Sequence, residues 1–398
     1  MKPILRFQEF NDPIKTKKIR NFCLVKSGAT PLRSKTAYFE NGHIPWVKTT
    51  DLNNGVITST EEKVTPLALK ETSLKIQPAN SVLVAMYGGF NQIGRTGLLK
   101  EPATTNQALC VLYPKDGVVI SSFLQHYLNA RVNRWRRFAA SSRKDPNITS
   151  SDVGSFPVSF GTITEQQKIA DFLTAVDTKI NQLTEKHRLL KEYKKGVMQQ
   201  IFSQQLRFKD KDGKAFPEWK YTRLSEVLSE YKCKSTKEDE FEVFTSSRNG
   251  LIKQSDYYGE NRLTERSNIG FNIIPHGYIT FRSRSDDRMF FFNLNNSGKT
   301  GLISHYYPVF TMKNRQNGFF IYFSNYYSQV FAKYSVGTSQ VVLSFKALGE
   351  IKLPIPVDEE QQKIAQFLQA LDSKITAVSE QIEQTKQFKK GLLQQMFV

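Results

Sequence analysis

Cysteine is scarce in this chain: three in 398 residues, Cys23, Cys110 and Cys233. They lie far apart and form no C-x-x-C pair, which excludes a disulfide framework and a cysteine zinc site; three buried, reduced thiols are expected. Long apolar runs are also missing, and none approaches the roughly 20 residues that a membrane-spanning helix needs. No basic-then-apolar segment opens the chain, because residues 1–20 are mixed and include Pro3 and Pro13, so the expected location is the cytoplasm. The five histidines, His43, His126, His187, His276 and His305, show no His-x-x-x-His spacing, and no metal site is expected. Acids are in deficit as well. Against 56 Lys and Arg stand 37 Asp and Glu, giving a formal charge of +19 and a pI near 9.6. The excess is +11 in residues 1–164, +2 in 165–204, +5 in 205–359 and +1 in 360–398. Such an imbalance points to a polyanionic partner, the alternative being a basic solvated surface without a ligand.

Signatures of catalysis are equally thin. Gly298-Lys299-Thr300 would need a glycine at position 293 to cradle phosphate, and Asn293 stands there. Asp145-Pro146-Asn147-Ile148 departs from the Asn/Asp-Pro-Pro-aromatic loop of amino methyltransferases at its last two positions. The other half of the chain carries Gln340-Val341-Val342-Leu343 instead. Nuclease-like Glu-x-Lys strings at Glu192/Lys194 and Glu350/Lys352 occur as chance would place them, the first inside a helix without a paired strand aspartate. A chain that does no chemistry of its own is expected.

What the sequence does contain is a repeat. EQQKIADFLTAVDTKINQLTEKHRLLKEYKKGVMQQIF begins at Glu165, and EQQKIAQFLQALDSKITAVSEQIEQTKQFKKGLLQQMF begins at Glu360, offset by 195 without a gap. Both carry an apolar seam in alternating steps of three and four: Ile169, Leu173, Val176, Ile180 and Leu183 in the first, and Ile364, Leu368, Leu371, Ile375 and Val378 in the second. That rhythm predicts long helices made to pair as a coiled coil, each about 55–60 Å long at 1.5 Å per residue. An antiparallel pair within one chain is the economical arrangement; pairing between two copies is the alternative. Polar seam residues His187, Lys194, Thr385 and Lys389 would fix the register.

The duplication extends beyond the helices. Ile148-Thr149 and Val153-Gly154 match Leu343-Ser344 and Leu348-Gly349, and alternating Phe156, Val158, Phe160 and Ile351, Leu353, Ile355 predict a short strand leading into each helix. Leu5-Arg6-Phe7 recurs as Leu206-Arg207-Phe208. Gly94-Arg95-Thr96-Gly97-Leu98 returns as Gly298-Lys299-Thr300-Gly301-Leu302 and reads as a turn between strands, with Arg95 or Lys299 placed to face phosphate. Between these landmarks the halves diverge. Strands are expected near residues 81–87 and 278–281, and helices over 121–137 and 318–333. The expected segments are therefore 1–164 and 205–359, globular, and 165–204 and 360–398, helical.

Basic, amide and hydroxyl residues in the predicted turns are the donors used on base edges and phosphates: Lys48, Thr49 and Thr50 after Trp46-Val47, and Ser247 and Arg248 within Ser246-Ser247-Arg248-Asn249. Arg282, Arg284 and Arg288 cluster in Arg282-Ser283-Arg284-Ser285-Asp286-Asp287-Arg288, and Arg143-Lys144 precedes the first strand-and-helix unit. A plain solvated loop is the competing reading of each. Arg134, Arg136 and Arg137 fall at a predicted helix end, where they would complement the helix dipole.

Two copies of Glu-Gln-Gln-Lys-Ile-Ala-x-Phe-Leu, two of Lys-Lys-Gly-x-x-Gln-Gln-x-Phe, and the strings Gly42-His43-Ile44-Pro45-Trp46-Val47 and Thr105-Asn106-Gln107-Ala108 make the chain resemble, over essentially its whole length, the specificity subunits of type I restriction-modification enzymes. The resemblance implies an α+β fold: two globular α/β target-recognition domains separated by an antiparallel coiled coil of two long helices, with a pseudo-twofold internal repeat. It also implies that each domain reads one part of a bipartite double-stranded DNA target while the helices set the unread gap. Two methyltransferase subunits and restriction subunits would dock on the helices, with the seam residues Ile169, Leu173, Val176, Ile180, Leu183, Ile364, Leu368, Leu371, Ile375 and Val378 serving both pairing and docking, and would carry S-adenosylmethionine, ATP and Mg2+, none of which this chain would hold. A methylation-only or fused assembly, or a coiled-coil scaffold binding other nucleic acid, is the alternative. The second half lacks a copy of Ile44-Pro45-Trp46 and has residues 241–246 in the corresponding place.

Overall fold

The computed structural model describes residues 3–89, 91–135, 147–258 and 267–397. They form two compact units, Met1–Glu185 with Ser379–Val398, and Lys186–Val378. The two long helices, Ile163–Phe202 and Asp358–Met396, each begin in one unit and end in the other. In the first unit Ile169, Ala170 and Leu173 share a core with Leu392, Met396 and Phe397. In the second, Ile364, Leu368 and Leu371 share one with Val197, Ile201 and Phe202. The start of one helix thus lies against the end of the other in each unit, so the pairing is antiparallel and made by a single chain. Along the seam Ile169, Leu173, Leu183, Ile364, Leu368, Leu371 and Val378 are buried, and Val176, Ile180 and Ile375 half-buried, as a stripe of alternating three- and four-residue steps requires.

The first unit is built on a five-stranded sheet in the order Cys23–Ser27, Leu109–Pro114, Val82–Ala85, Thr96–Leu99, Val56–Ile57. Every residue of Val82–Ala85 is buried, so this uninterrupted apolar run serves as a central strand covered on both faces. Helix Ser121–Ala130 packs Phe123, Leu124, Tyr127 and Leu128 into its core. A smaller sheet orders Glu62–Val64, Ile44–Val47 and Thr104–Thr105.

The second unit repeats the first three strands of that plan: Leu228–Glu230, Val309–Met312, Ile279–Phe281, with Phe292–Leu294 as the fourth. Its other sheet runs Gly250–Lys253, Val243–Ser247, Gly301–Ile303, Asn272–Ile274. Helices Asn317–Tyr326 and Ser328–Lys333 fill the predicted helical stretch and bury Phe319, Phe320, Phe323 and Phe331.

The repeated landmarks have physical reasons. Thr149 and Ser344 are N-caps: their side chains accept from the backbone N–H of Asp152 and Ala347, starting short helices Ser150–Ser155 and Phe345–Glu350. The strands that follow, Pro157–Phe160 and Lys352–Ile355, pair antiparallel with Lys15–Lys18 and Lys220–Arg223. In the Gly-Arg/Lys-Thr-Gly-Leu turns the first glycine sits at φ +77° and +79°, a region costly for other residues. The second glycine admits a neighbour: a Cβ on Gly97 would lie 2.4 Å from Ile57 Cδ1, and one on Gly301 would lie 2.1 Å from Phe244 Cε2. Ile57 and Phe244 come from strands running parallel to the one holding each glycine. The structural counterpart of Val243-Phe244 is therefore Val56-Ile57 rather than Ile44-Pro45-Trp46.

Two expectations need correction. The helix expected over 121–137 ends at Ala130, and Val132–Arg134 is a single 3-10 turn. The chain turns there because Trp135 must enter the core, stacking on Phe156 at 4.1 Å over Gly94, while Arg131 donates to the Phe397 carbonyl at 2.6 Å. Cys23 and Cys110 are buried thiols, pushed up to about 12 chiefly by burial, but Cys233 is only half-buried.

Candidate DNA interface

The frame that carries the candidate surfaces is made by the repeated motif itself. Glu165 is buried at the start of the first long helix, and Arg6 of the lead-in segment grips it with two bonds, Nε to Oε1 at 2.7 Å and Nη2 to Oε2 at 2.8 Å. Glu360 and Arg207 do the same at 2.9 and 2.8 Å, with Trp219 Nε1 donating a third bond at 3.0 Å. These bidentate pairs satisfy carboxylates that burial alone would strongly disfavour. They raise the already high pKa of each arginine, the hydrogen bond to the glutamate being the main cause. The next residue stitches the helix to its body: Gln166 Nε2 donates to the Val118 and Gly161 carbonyls and its Oε1 accepts from the Ile120 N–H, and Gln361 Nε2 donates to the Pro356 carbonyl.

Of the polar seam residues, Lys389 reaches Asp177 in the first unit and Lys194 reaches Asp372 in the second. A different side chain approaches each pair from the globular body. His126 lies with Nδ1 3.9 Å from Asp177 Oδ2, and Tyr322 donates its hydroxyl to Asp372 Oδ2 at 2.7 Å. Burial, reinforced by the positive Lys389, pushes the His126 imidazole down to about 3, so it is neutral despite the nearby carboxylate. Burial and the Asp372 contact push the Tyr322 hydroxyl up.

Four of the expected contact residues converge in the second unit. Ser247, Arg248, Arg282 and Arg284 line one cleft of about 250 Å³, together with Asp287 and Phe291. Strands Val243–Ser247 and Gly250–Lys253 pair Ser247 opposite Gly250, so Arg248 and Asn249 form the two-residue tip of a hairpin. Across the cleft, Asp287 Oδ2 accepts from Arg248 Nη2 at 2.5 Å, while its Oδ1 accepts from Ser285 Oγ at 2.8 Å and from the Met289 N–H at 3.1 Å. Those three contacts, Ser285 first, hold the Asp287 carboxyl below its ordinary range. The Arg248 guanidinium also lies 5.6 Å from the centre of the Phe291 ring, and that of Arg284 lies 4.7 Å from Tyr306. Arg282 and Arg288 are exposed on the same loop. Lys299 stands apart, 3.4 Å from Glu242, which also binds Lys253 at 2.7 Å.

The first unit treats its candidates differently. Lys48 follows strand Ile44–Val47 and is held by Glu61 at 2.8 Å and Glu62 at 2.5 Å. Burial pulls its pKa down, but the two carboxylates outweigh that and leave it raised. Glu62 is held at about 2 by Arg33 and then Lys48. Thr49 and Thr50 lie in the 3-10 turn Thr49–Asp51, and Arg95 is half-buried between turn and strand. Arg136, Arg137, Arg143, Lys144, Asp145 and Pro146 lie outside the described residues. Three side chains join these sites without a signal of their own in the sequence: Arg33, whose guanidinium lies 4.8 Å from the Trp46 ring, Tyr306 under Arg284, and Asp287, whose partner Arg248 is distant along the chain. The alternation of arginine with Ser283 and Ser285 was a signal that the loop lies against a body, because both serines are buried.

Among the described residues no group of His, Cys, Asp and Glu could hold a metal ion, and no helix is long and apolar enough to cross a membrane.

The profile of the type I restriction modification DNA specificity domain matches twice, at residues 11–191 and 217–387. The chain is 30% identical over 160 residues to the EcoR124I/EcoR124II specificity subunit of Escherichia coli, covering 40% of this chain and 39% of that protein. It is 27% identical over 223 residues to the MjaIX specificity subunit of Methanocaldococcus jannaschii, covering 53% and 51%. These matches thus span about two fifths and about half of the relatives' own length. The MjaVIII specificity subunit of the same organism is 22% identical over 392 residues, covering 88% and 84%. In fold, the chain resembles the S subunit of a type I restriction-modification system from M. genitalium, with a TM-score of 0.62 at 15% identity over 100% of this chain and 99% of that one. With both copies of the repeat matched by one profile, the chain belongs to the type I restriction-modification DNA specificity family.

Proposed function

We propose that this chain is the DNA-recognition subunit of a type I restriction-modification complex, each unit reading one part of a bipartite double-stranded target. The observation that carries the reading is a frame whose motifs recur in both halves, bearing two unlike polar surfaces. The Glu-Arg grips and the Lys-Asp pairs recur, whereas the Arg248–Arg284 cleft of the second unit and the Lys48–Glu62–Arg33 network of the first do not. Identical frames with different faces suit one binding mode applied to two different sequences. The net charge of +19 supports a polyanionic ligand.

In this reading the paired helices act as the ruler for the unread gap and dock two methyltransferase subunits and the restriction subunits. Those partners bring S-adenosylmethionine, ATP and Mg2+, and this chain performs no chemistry. Lys48, Thr49, Thr50, Arg95, Arg143 and Lys144 would serve one half of the target, and Ser247, Arg248, Arg282, Arg284, Arg288 and Lys299 the other. Because the seam side chains are turned into the chain's own pairing, partners would meet the exposed sides of the helices.

The test is binding of duplex DNA by the chain assembled with its methyltransferase partner, followed over a range of salt concentrations. A sequence-specific bipartite footprint with a steep salt dependence is expected. A complex that protects no such site, or methyl transfer by the chain without any partner, would overturn the proposal.

A further inference from the structure

We propose that Arg248 reads a guanine in the half-site bound by the second unit, while Arg282, Arg284 and Arg288 around it hold phosphates. The inference rests on the DNA-recognition reading above and deepens it.

A basic residue near DNA can bind the backbone or a base edge, and the two roles ask for different electrostatics. Phosphate binding draws on net charge. Guanine recognition draws on a planar fork of N–H donors held in a fixed orientation, offered to O6 and N7. Arg248 is equipped for the second role. Its charge is countered by Asp287 at 2.5 Å, so the pair as a whole attracts a phosphate only weakly. Its donors are not exhausted, because the guanidinium carries five N–H groups and the carboxylate contact engages Nη2.

The orientation is fixed from two sides. Asp287 is itself tied by Ser285 and the Met289 N–H, and the Phe291 ring supports the guanidinium face. The backbone beneath Arg248 has little slack, since a two-residue hairpin tip lies between paired Ser247 and Gly250, and Ser247 Oγ donates to the Gly250 carbonyl at 2.8 Å. The side chain nevertheless remains 68% exposed, projecting from the tip where a groove could receive it. Arg284, by contrast, rests on Tyr306, and Arg282 and Arg288 stand exposed on the facing loop; these suit phosphates.

The experiment is selection from a randomised duplex library by the full chain assembled with its methyltransferase partner, comparing wild type, Arg248→Ala and Asp287→Asn. The wild-type pool should show a bipartite motif with an invariant guanine in one half. The Arg248→Ala pool should keep every other position and lose that preference, with affinity for the wild-type site reduced about tenfold or more. The slope of affinity against salt should stay unchanged. Asp287→Asn adds one net positive charge and weakens the strut by removing its charge and one of its two acceptor oxygens, so it should tighten binding to unrelated duplex while weakening discrimination at the same position. The inference is overturned if Arg248→Ala weakens all sequences equally and lowers the salt slope by about one, which is the signature of a phosphate contact. It is also overturned if the lost preference is for another base. A wild-type pool without a bipartite motif would sink the recognition reading along with it.

Discussion

Lys389 donates to Asp177 at 2.5 Å, and 195 residues earlier in the chain Lys194 donates to Asp372 at the same distance. In each case the lysine of a Lys-Lys-Gly motif in the last quarter of one helix meets an aspartate in the first half of the other. One pair lies in each compact unit. The duplication has thus been kept where each copy must answer the other.

Neutralising either partner alone, Lys389→Met or Asp177→Asn, should lower the denaturation midpoint of the first unit. The two changes together should cost less than their sum, with a coupling of about 1 kcal/mol for a partly buried pair. Exchanging the charges, Lys389→Asp with Asp177→Lys, should recover most of the loss. Additive losses in the double-mutant cycle would show that the pair does not set the register.

His126 should make the first unit acid-sensitive. Its folded-state pKa of about 3 lies below the unfolded value of 6.5, so in that window the unfolded chain binds the proton and the folded chain does not. Stability is therefore intact above 6.5 and is lost as pH falls towards 3, by about 2 kcal/mol on reaching about pH 5. His126→Tyr, which copies Tyr322 of the second unit, should flatten this dependence between about pH 6.5 and 5. Parallel stability curves for the two proteins would rule out a neutral buried His126.

Arg207→Ala should destabilise the second unit by about 3 kcal/mol or more, because Glu360 would be left as a buried carboxylate with Trp219 as a remaining donor. Arg207→Lys should recover only part of this, since an ammonium cannot give the paired Nε and Nη2 bonds. Equal stability of Arg207→Lys and wild type, measured by urea titration, would contradict the bidentate role.

The parts of this architecture legible in the sequence are those repeated or periodic: the two helices, the antiparallel seam, the recurring lead-in segments and the short strand that enters each long helix. Sheet order was not legible, because short strands pair across long separations. Ile44-Pro45-Trp46 carries no mark that Trp46 will lie opposite Glu62 and so bring Lys48 between Glu61 and Glu62. The arginine cleft was half visible. Its residues stood out by type, but the strut Arg248–Asp287 joins positions 39 apart, and only the fold brings them together. Helix 121–130 was overextended because nothing local announces that Trp135 must turn inward to meet Phe156.

The central claim, one frame carrying two independent readers, is tested most directly by replacing residues 205–359 with the corresponding segment of another specificity subunit and mapping the methylated target of the assembled complex. The account predicts that one half of the bipartite target changes while the other half and the gap between them stay as in the wild type. A change in both halves, or an unchanged target, would contradict it.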